Sequence, residues 1–175
     1  FQAIDFLISK NVKAIVIACN TATARALKEA NEKYDLPIIG VIEAGAKTAA
    51  YTTKNKIVGV IGTDGTIRSK AYNIEIAKID PEIKIVDKAC PLFVPIVEEG
   101  WANTDIASLT ARRYLEELMD KGIDSLVLGC THYPLLKRTI GEIVGENVKL
   151  VNPARETAKD LKRILENDNI LREET

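Results

Sequence analysis

Short apolar runs rich in Ile and Val recur along the chain, separated by segments whose apolar positions follow helical spacing. The runs occupy residues 12–18, 37–41, 57–62, 83–86, 125–128 and 148–151. A continuous apolar run of this length is typical of a strand buried on both faces, and strands that alternate with helices form parallel sheets. The pattern therefore predicts an α/β fold with largely parallel sheets.

Residues 1–21 and 112–132 repeat one pattern of helix, turn, strand and cysteine. In the strands, AIVIAC at 14–19 aligns with SLVLGC at 125–130. In the turns, Asn11 and Gly122 share the position at which a left-handed residue ends a helix. Two copies of one unit predict two pseudo-symmetric α/β domains that face each other across a cleft.

The cysteines that end these two strands, Cys19 and Cys130, are candidates for reactive thiols. Ligands of open parallel sheets bind beyond the carboxyl ends of the strands, where the N-terminus of the next helix favours a thiolate. A lone cysteine is more often a small core residue, but a matched pair followed by polar residues favours a functional role. Cys90 has no counterpart in the repeat, and we expect it in the core.

Composition excludes several classes of protein. The 24 Lys and Arg residues nearly balance 25 Asp and Glu residues and are scattered, so no nucleic-acid partner is predicted. No apolar run approaches the roughly 20 residues of a membrane helix, and no signal peptide opens the chain, so no membrane partner is predicted either. Three widely spaced cysteines without a CxxC pair argue against disulfides and a zinc site. We expect free thiols in a reducing cytoplasm.

Two facing thiols suit inversion at a carbon acid. One group must remove a proton from one face of the carbon, while the other delivers a proton to the opposite face. The ordinary thiol pKa of about 8.5 is readily lowered toward neutrality, so one member can be thiolate while the other stays protonated. This scheme needs no metal or cofactor.

The motifs around both cysteines resemble the signatures of bacterial glutamate racemases: VIACNTATA at 16–24 and LGCTHYPL at 128–135. GTDGTIRS at 62–69 and CPLFVP at 90–95 resemble further segments of that family. The resemblance covers nearly the whole chain, and the His-Tyr-Pro ending favours glutamate racemases over aspartate racemases. It implies a cofactor-independent enzyme that interconverts L-glutamate and D-glutamate, supplying D-glutamate for peptidoglycan.

The resemblance also implies roles for matched residues. Cys19 and Cys130 correspond to the two catalytic thiols, and His132 and Glu98 to auxiliary acid/base or orienting groups. The residues implied to bind substrate are Asn20, Thr21, Thr63, Thr66, Thr131 and His132.

Simpler interpretations stand beside these roles. His132 could cap a helix or fill a polar niche. The adjacent Glu98 and Glu99 could be an ordinary solvated pair. Thr63 or Thr66 is a good N-cap at the strand-to-helix junction, a role compatible with substrate binding. Trp101 is expected in the core or partly buried, because Trp is highly buried on average.

Some family segments that bind substrate are absent, namely an Asp-Ser-Gly segment and Tyr-Gly-Asp and Pro-Tyr-Gly regions. Because the chain begins at Phe1 without an initiator Met or a helix cap, we expect these segments to precede it. The first domain is then incomplete, with residues 1–42 and 153–175, and the second spans 43–152. The family topology returns a helix at 154–165 and the strand at 148–151 to the first domain or its border. We expect this segment alone to be weakly active or inactive.

Other functions stay open at this point. A racemase of aspartate or a hydantoin, or a single-cysteine decarboxylase, is disfavoured by the His-Tyr-Pro motif and by the two thiols. Two α/β lobes around a small polar ligand are also the plan of solute-binding proteins, which need no thiols. Inhibition of DNA gyrase, known for certain family members, has no physical sign here. Family members pair in more than one way, so a homodimer is compatible with the sequence.

Overall fold

The computed structural model describes residues 1–172 and contains two parallel sheets with their flanking helices. Residues 173–175, at the end of the predicted first domain, lie outside the described residues. None of the helices in 1–172 combines the length and the apolar character needed to cross a membrane.

The small sheet pairs β1 (Ile15–Ile17) with β2 (Ile38–Gly40) in parallel. It packs with α1 (Gln2–Ile8) and α2 (Asn20–Lys33) around a small apolar cluster. Asn11, which follows α1, has a φ of 56°, so the left-handed turn predicted from the repeat is confirmed.

The large sheet has the strand order β4–β3–β5–β6, all parallel. Its strands are β3 (Ile57–Gly62), β4 (Lys84–Ala89), β5 (Ser125–Gly129) and β6 (Lys149–Val151). Every residue of the central strand β5 is buried, as its continuous apolar run predicts. All six predicted strands are present, although β1 and β2 are shorter than predicted. The strand predicted at 148–151 lies at the edge of this sheet, hydrogen-bonded to β5.

Helices cover both faces of the large sheet. The remaining helices are α3 (Ile42–Thr52), α4 (Asp64–Arg68), α5 (Ala71–Ile79), α6 (Phe93–Glu98), α7 (Asp105–Asp120), a 3₁₀ helix (Tyr133–Leu136), α8 (Lys137–Val144) and α9 (Pro153–Asn167). Leu126 and Leu128 point to the core formed by α6, α7 and α8. Between them, Val127 points to the core of α3 and α5. This alternation along β5 is the period of two that a strand imposes.

The predicted turn at Gly122 and the predicted helix at 154–165 are both present, whereas Trp101 differs from its prediction. Gly122 ends the turn after α7 with a φ of 71°, matching Asn11 in the repeat. The predicted helix at 154–165 lies within α9, which packs on α3 and also contacts β2 and β5. Trp101 is exposed, with 44% of its surface accessible, so the expectation that it is in the core or partly buried is wrong.

Candidate active site

Cys19 lies at the junction between β1 and α2. The apolar strand ends at Ile17, and Cys19 takes the N-cap position of α2 with an extended backbone. Its carbonyl oxygen accepts a hydrogen bond from the N–H of Thr23, and the residue is exposed. The positive end of the dipole of a 14-residue helix is therefore directed at this position, which favours anionic groups beside the thiol.

Cys130 occupies the equivalent position after β5, but its surroundings differ. Its residue exposure is 7%, against an exposed Cys19. Burial raises the pKa of Cys130, and the negative charge of a Cys19 thiolate adds to that rise. Hydrogen bonds from the backbone N–H groups of His132 and Tyr133 and from the side chain of Thr131 lower the pKa of Cys130 but do not cancel the effect of burial. This direction is opposite to the lowering that the sequence led us to expect for a reactive thiol, because lost hydration outweighs the hydrogen bonds.

His132 links Cys130 to Glu98. The Nδ1 atom of His132 lies 3.9 Å from Cys130 Sγ, and its Nε2 atom lies 3.2 Å from Glu98 Oε1. The side chain makes no capping hydrogen bond to the 3₁₀ helix that follows it, so the capping interpretation is wrong. If Nε2 donates its proton to Glu98, Nδ1 is left as an acceptor for the thiol proton of Cys130.

Glu98 and Glu99 are distinguished by their positions at the end of α6. Glu98 is the last residue of the helix and its carboxylate faces His132, whereas Glu99 is the C-cap residue. The Glu98 side chain is 64% exposed, so its interaction with the imidazole is partly screened by solvent.

Three threonines meet where α2 approaches the loop after β3. The Oγ1 atom of Thr21 lies 2.7 Å from that of Thr63 and 3.1 Å from that of Thr66. Thr63 also caps α4, because its hydroxyl accepts a hydrogen bond from the N–H of Thr66, so the predicted N-cap is confirmed. Gly65 permits the close approach, since a Cβ atom there would lie 2.8 Å from Thr21 Cγ2.

Asn20 is held by a residue to which the sequence assigned no role. The hydroxyl group of Tyr72 donates a hydrogen bond of 2.7 Å to Asn20 Oδ1. Both residues are buried, with exposures of 2% for Tyr72 and 4% for Asn20. The bond turns the amide oxygen of Asn20 toward α5 and the NH₂ group the other way. A single Tyr on an apolar helix face looks like any core residue, so only its contact partner could have indicated this role.

The ends of β1 and β5 open onto one cavity of about 230 Å³. Residues next to both strand ends line it, among them Ala18, Asn20, Cys130 and Thr131. Cys90 is fully buried outside this lining, and burial raises its pKa to about 12, so the expectation of a core cysteine is confirmed. Among the described residues, no three His, Cys, Asp or Glu side chains are grouped as metal ligands.

Comparison with known proteins gives consistent matches. The family model of Asp/Glu/hydantoin racemases matches residues 1–161. A glutamate racemase of Geobacter metallireducens is 54% identical over 168 residues, which are 96% of this chain and 62% of that protein. The chain therefore spans a little under two thirds of the length of this relative.

Solved structures agree over nearly the whole chain. A glutamate racemase isoform from Bacillus anthracis superposes with a TM-score of 0.94 at 40% identity, covering 98% of this chain and 64% of that one. A glutamate racemase from Francisella tularensis in complex with D-glutamate has a TM-score of 0.90 at 40% identity, covering 97% and 63%. These matches confirm the predicted α/β fold.

Proposed function

The chain belongs to the Asp/Glu/hydantoin racemase family, and from this premise we propose that the protein interconverts L-glutamate and D-glutamate. The observation that carries the proposal is the pair of cysteines at equivalent ends of β1 and β5. Cys130 lines one cavity, and Cys19 lies between Ala18 and Asn20, which line the same cavity. A charge on Cys19 is close enough to affect the pKa of Cys130. Glutamate is favoured over other substrates because the matched relative and both superposed structures are glutamate racemases.

In the proposed reaction the α-carbon of glutamate lies between the two thiols. A thiolate removes the α-proton from one face, and the opposite thiol donates its proton to the other face of the planar carbanion. For the opposite enantiomer the two cysteines exchange roles. Since burial raises the pKa of Cys130, this residue holds its proton in the resting cleft. It therefore acts as the acid in the direction in which Cys19 is the base.

His132 and Glu98 are proposed to serve Cys130. With Glu98 accepting from Nε2, the imidazole Nδ1 can take up and return the proton of the Cys130 thiol. While the imidazole holds this proton, its Nε2 atom and the carboxylate of Glu98 form an ion pair at a partly exposed site.

The remaining site residues are proposed to hold the polar groups of glutamate. Asn20, with its NH₂ group directed away from Tyr72, and the hydroxyl of Thr131 lie at the strand ends beside the thiols. The hydroxyls of Thr21, Thr63 and Thr66 form a second group of donors nearby. These groups would bind carboxylates, which require several donors when water is displaced.

The wider setting is part of the same proposal. D-Glutamate made by this reaction would supply peptidoglycan synthesis in the cytoplasm, where an exposed thiol such as that of Cys19 stays reduced. The protein is further proposed to form a homodimer. Residues 1–42 and 153–175 are assigned to the first domain and residues 43–152 to the second.

The test is proton exchange at the α-carbon in the complete protein encoded by its gene. Each glutamate enantiomer is incubated in deuterated buffer, with NMR to follow the α-proton and polarimetry to follow inversion. We expect inversion with deuterium incorporation, lowered by about 100-fold or more in Cys19→Ala and in Cys130→Ala. Cys90→Ala is the matched control, since this thiol is fully buried in the core cluster, and it should keep its activity.

Each alternative function has its own outcome. Turnover of aspartate or a hydantoin without glutamate would reject the substrate but keep the two-thiol mechanism. Activity that survives either active-site substitution would reject the mechanism. Saturable glutamate binding without exchange would favour a small-ligand binding module.

A further inference from the structure

Helix α7 has an exposed face that carries large apolar side chains. Leu109 is 68% exposed, Ile106 51% and Met119 40%. A shallow groove of about 420 Å³ runs along this face, bounded by residues of α7 and by Ile143 of α8. The opposite face of α7 is the one that packs on the large sheet, through Ala107, Ala111, Leu115 and Leu118.

Four residues define a seam along the exposed face: Leu109, Arg112, Glu116 and Met119. Their spacing of three, four and three residues is the stripe that one helix presents to another in a coiled coil. Two charged residues lie at its centre, and one apolar residue lies at each end.

The central charges have no partner among the described residues. Within 1–172 the ion pair that α7 makes joins Glu117 to Lys88, so Arg112 and Glu116 stay unpaired although they are one helical turn apart. Met and Arg side chains are enriched at contact surfaces, and charges of opposite sign can pair across a surface with a complementary partner.

The seam is complementary to itself. When a second copy of the helix runs in the opposite direction, Leu109 faces Met119 and Arg112 faces Glu116. This follows because residue 114 is the midpoint of both pairs. We propose that α7 packs antiparallel against α7 of a second copy of this chain, about a two-fold axis level with Tyr114. Such a pairing places Leu against Met at both ends and forms two Arg–Glu ion pairs between them. A parallel pairing would instead bring like charges together.

Two flanking charges fit the same arrangement. Arg113 lies in the half of the helix that carries Arg112, and Asp120 lies in the half that carries Glu116. When two α7 helices pack antiparallel, the half of each helix with the two Arg residues lies against the half of the other helix with Glu116 and Asp120. This inference rests on the proposed homodimer and names its surface, but it does not depend on the chemistry of the cleft.

The test is the mass of the complete protein by sedimentation equilibrium from low to high micromolar concentration. The variants are Arg112→Glu, Glu116→Arg and the double variant with both charges exchanged. Lys28→Glu on α2, whose side chain is 92% exposed, is the control for the equal change of charge in Arg112→Glu. We expect a wild-type dimer whose dissociation constant rises at least about 10-fold in each single variant, since the symmetric contact occurs twice. The double variant should regain the wild-type constant, and Lys28→Glu should not differ from it.

The outcomes separate the surface from the function. A wild-type protein that stays monomeric throughout overturns the pairing. A dimer that both single variants leave intact overturns the α7 surface while leaving another homodimer in place. Inversion of glutamate, measured on the same samples, reports on the proposed reaction independently of either result.

Discussion

Replacing Tyr72 with Phe tests whether the position of Asn20 depends on one buried hydroxyl. The substitution keeps the ring and its packing on the large sheet and removes only the donor that lies 2.7 Å from Asn20 Oδ1. Because both residues are almost fully buried, water has little access to replace the lost hydrogen bond. The amide of Asn20 then loses the contact that sets its orientation beside Cys19.

The expected cost follows from that burial. A buried acceptor left without its donor costs roughly 1–3 kcal/mol, so we expect the free energy of unfolding to fall by about that amount. Tyr34→Phe is the matched control, because its hydroxyl donates to Asp5 at an exposed site. At that site water replaces the lost hydrogen bond, so we expect the free energy of unfolding of Tyr34→Phe to stay within about 0.5 kcal/mol of the wild-type value.

Two measurements check this reasoning on the complete protein. Urea denaturation followed by circular dichroism gives the free energy of unfolding, and steady-state racemisation gives KM and kcat. A loss of about 1.4 kcal/mol in substrate binding through Asn20 would raise KM tenfold with a smaller effect on kcat. If Tyr72→Phe unfolds at the wild-type urea concentration and keeps the wild-type KM, the hydrogen bond has neither the energetic nor the positioning role assigned to it.

Two further predictions concern Gly65 and Cys90. Gly65→Ala adds helix propensity of about 1 kcal/mol to α4 but brings a Cβ atom within 2.8 Å of Thr21 Cγ2, so KM for glutamate should rise without loss of stability. Gly141→Ala on α8, whose Cβ meets no atom closer than 3.8 Å, should gain stability with KM unchanged, and an equal KM effect in both variants would contradict the steric argument. Burial raises the pKa of Cys90 from 9.0 to about 12, so its contribution to stability is complete below about pH 9 and is lost as the pH rises toward 12. At pH 10 the loss amounts to roughly 1–2 kcal/mol, and the difference in unfolding free energy between wild type and Cys90→Ala should narrow by that amount between about pH 8 and pH 10. A difference that stays constant over this range would show that the thiol titrates alike in the folded and unfolded states.

The local elements of this fold follow from the sequence. A buried strand is typically a continuous apolar run, and each of the six runs overlaps one of the six strands, with differences of a few residues at the ends. The turns at Asn11 and Gly122 have the left-handed backbone that the internal repeat indicates, because Asn and Gly tolerate positive φ. The positions of both cysteines at strand ends follow from the same repeat.

The repeat did not determine how its two copies are surrounded. Ile4 and its counterpart Leu115 are both buried, but Leu7 is 37% exposed whereas its counterpart Leu118 is fully buried. In the same way Cys19 is exposed and Cys130 is buried. Burial depends on which segments cover a strand. The small sheet has two strands among the described residues, and the chain spans only part of the length of its relatives.

Tertiary structure also decided which side chains meet. Glu98 and His132 are 34 residues apart in the chain, and Asn20 and Tyr72 are 52 apart, yet each pair is in hydrogen-bond contact. The sequence by itself determined the strands, the turns and the two thiols, because these depend on apolar pattern and backbone preference within a few residues. The partners of His132 and Asn20 and the raised pKa of Cys130 depend on contacts and lost hydration, which arise only when distant segments pack together.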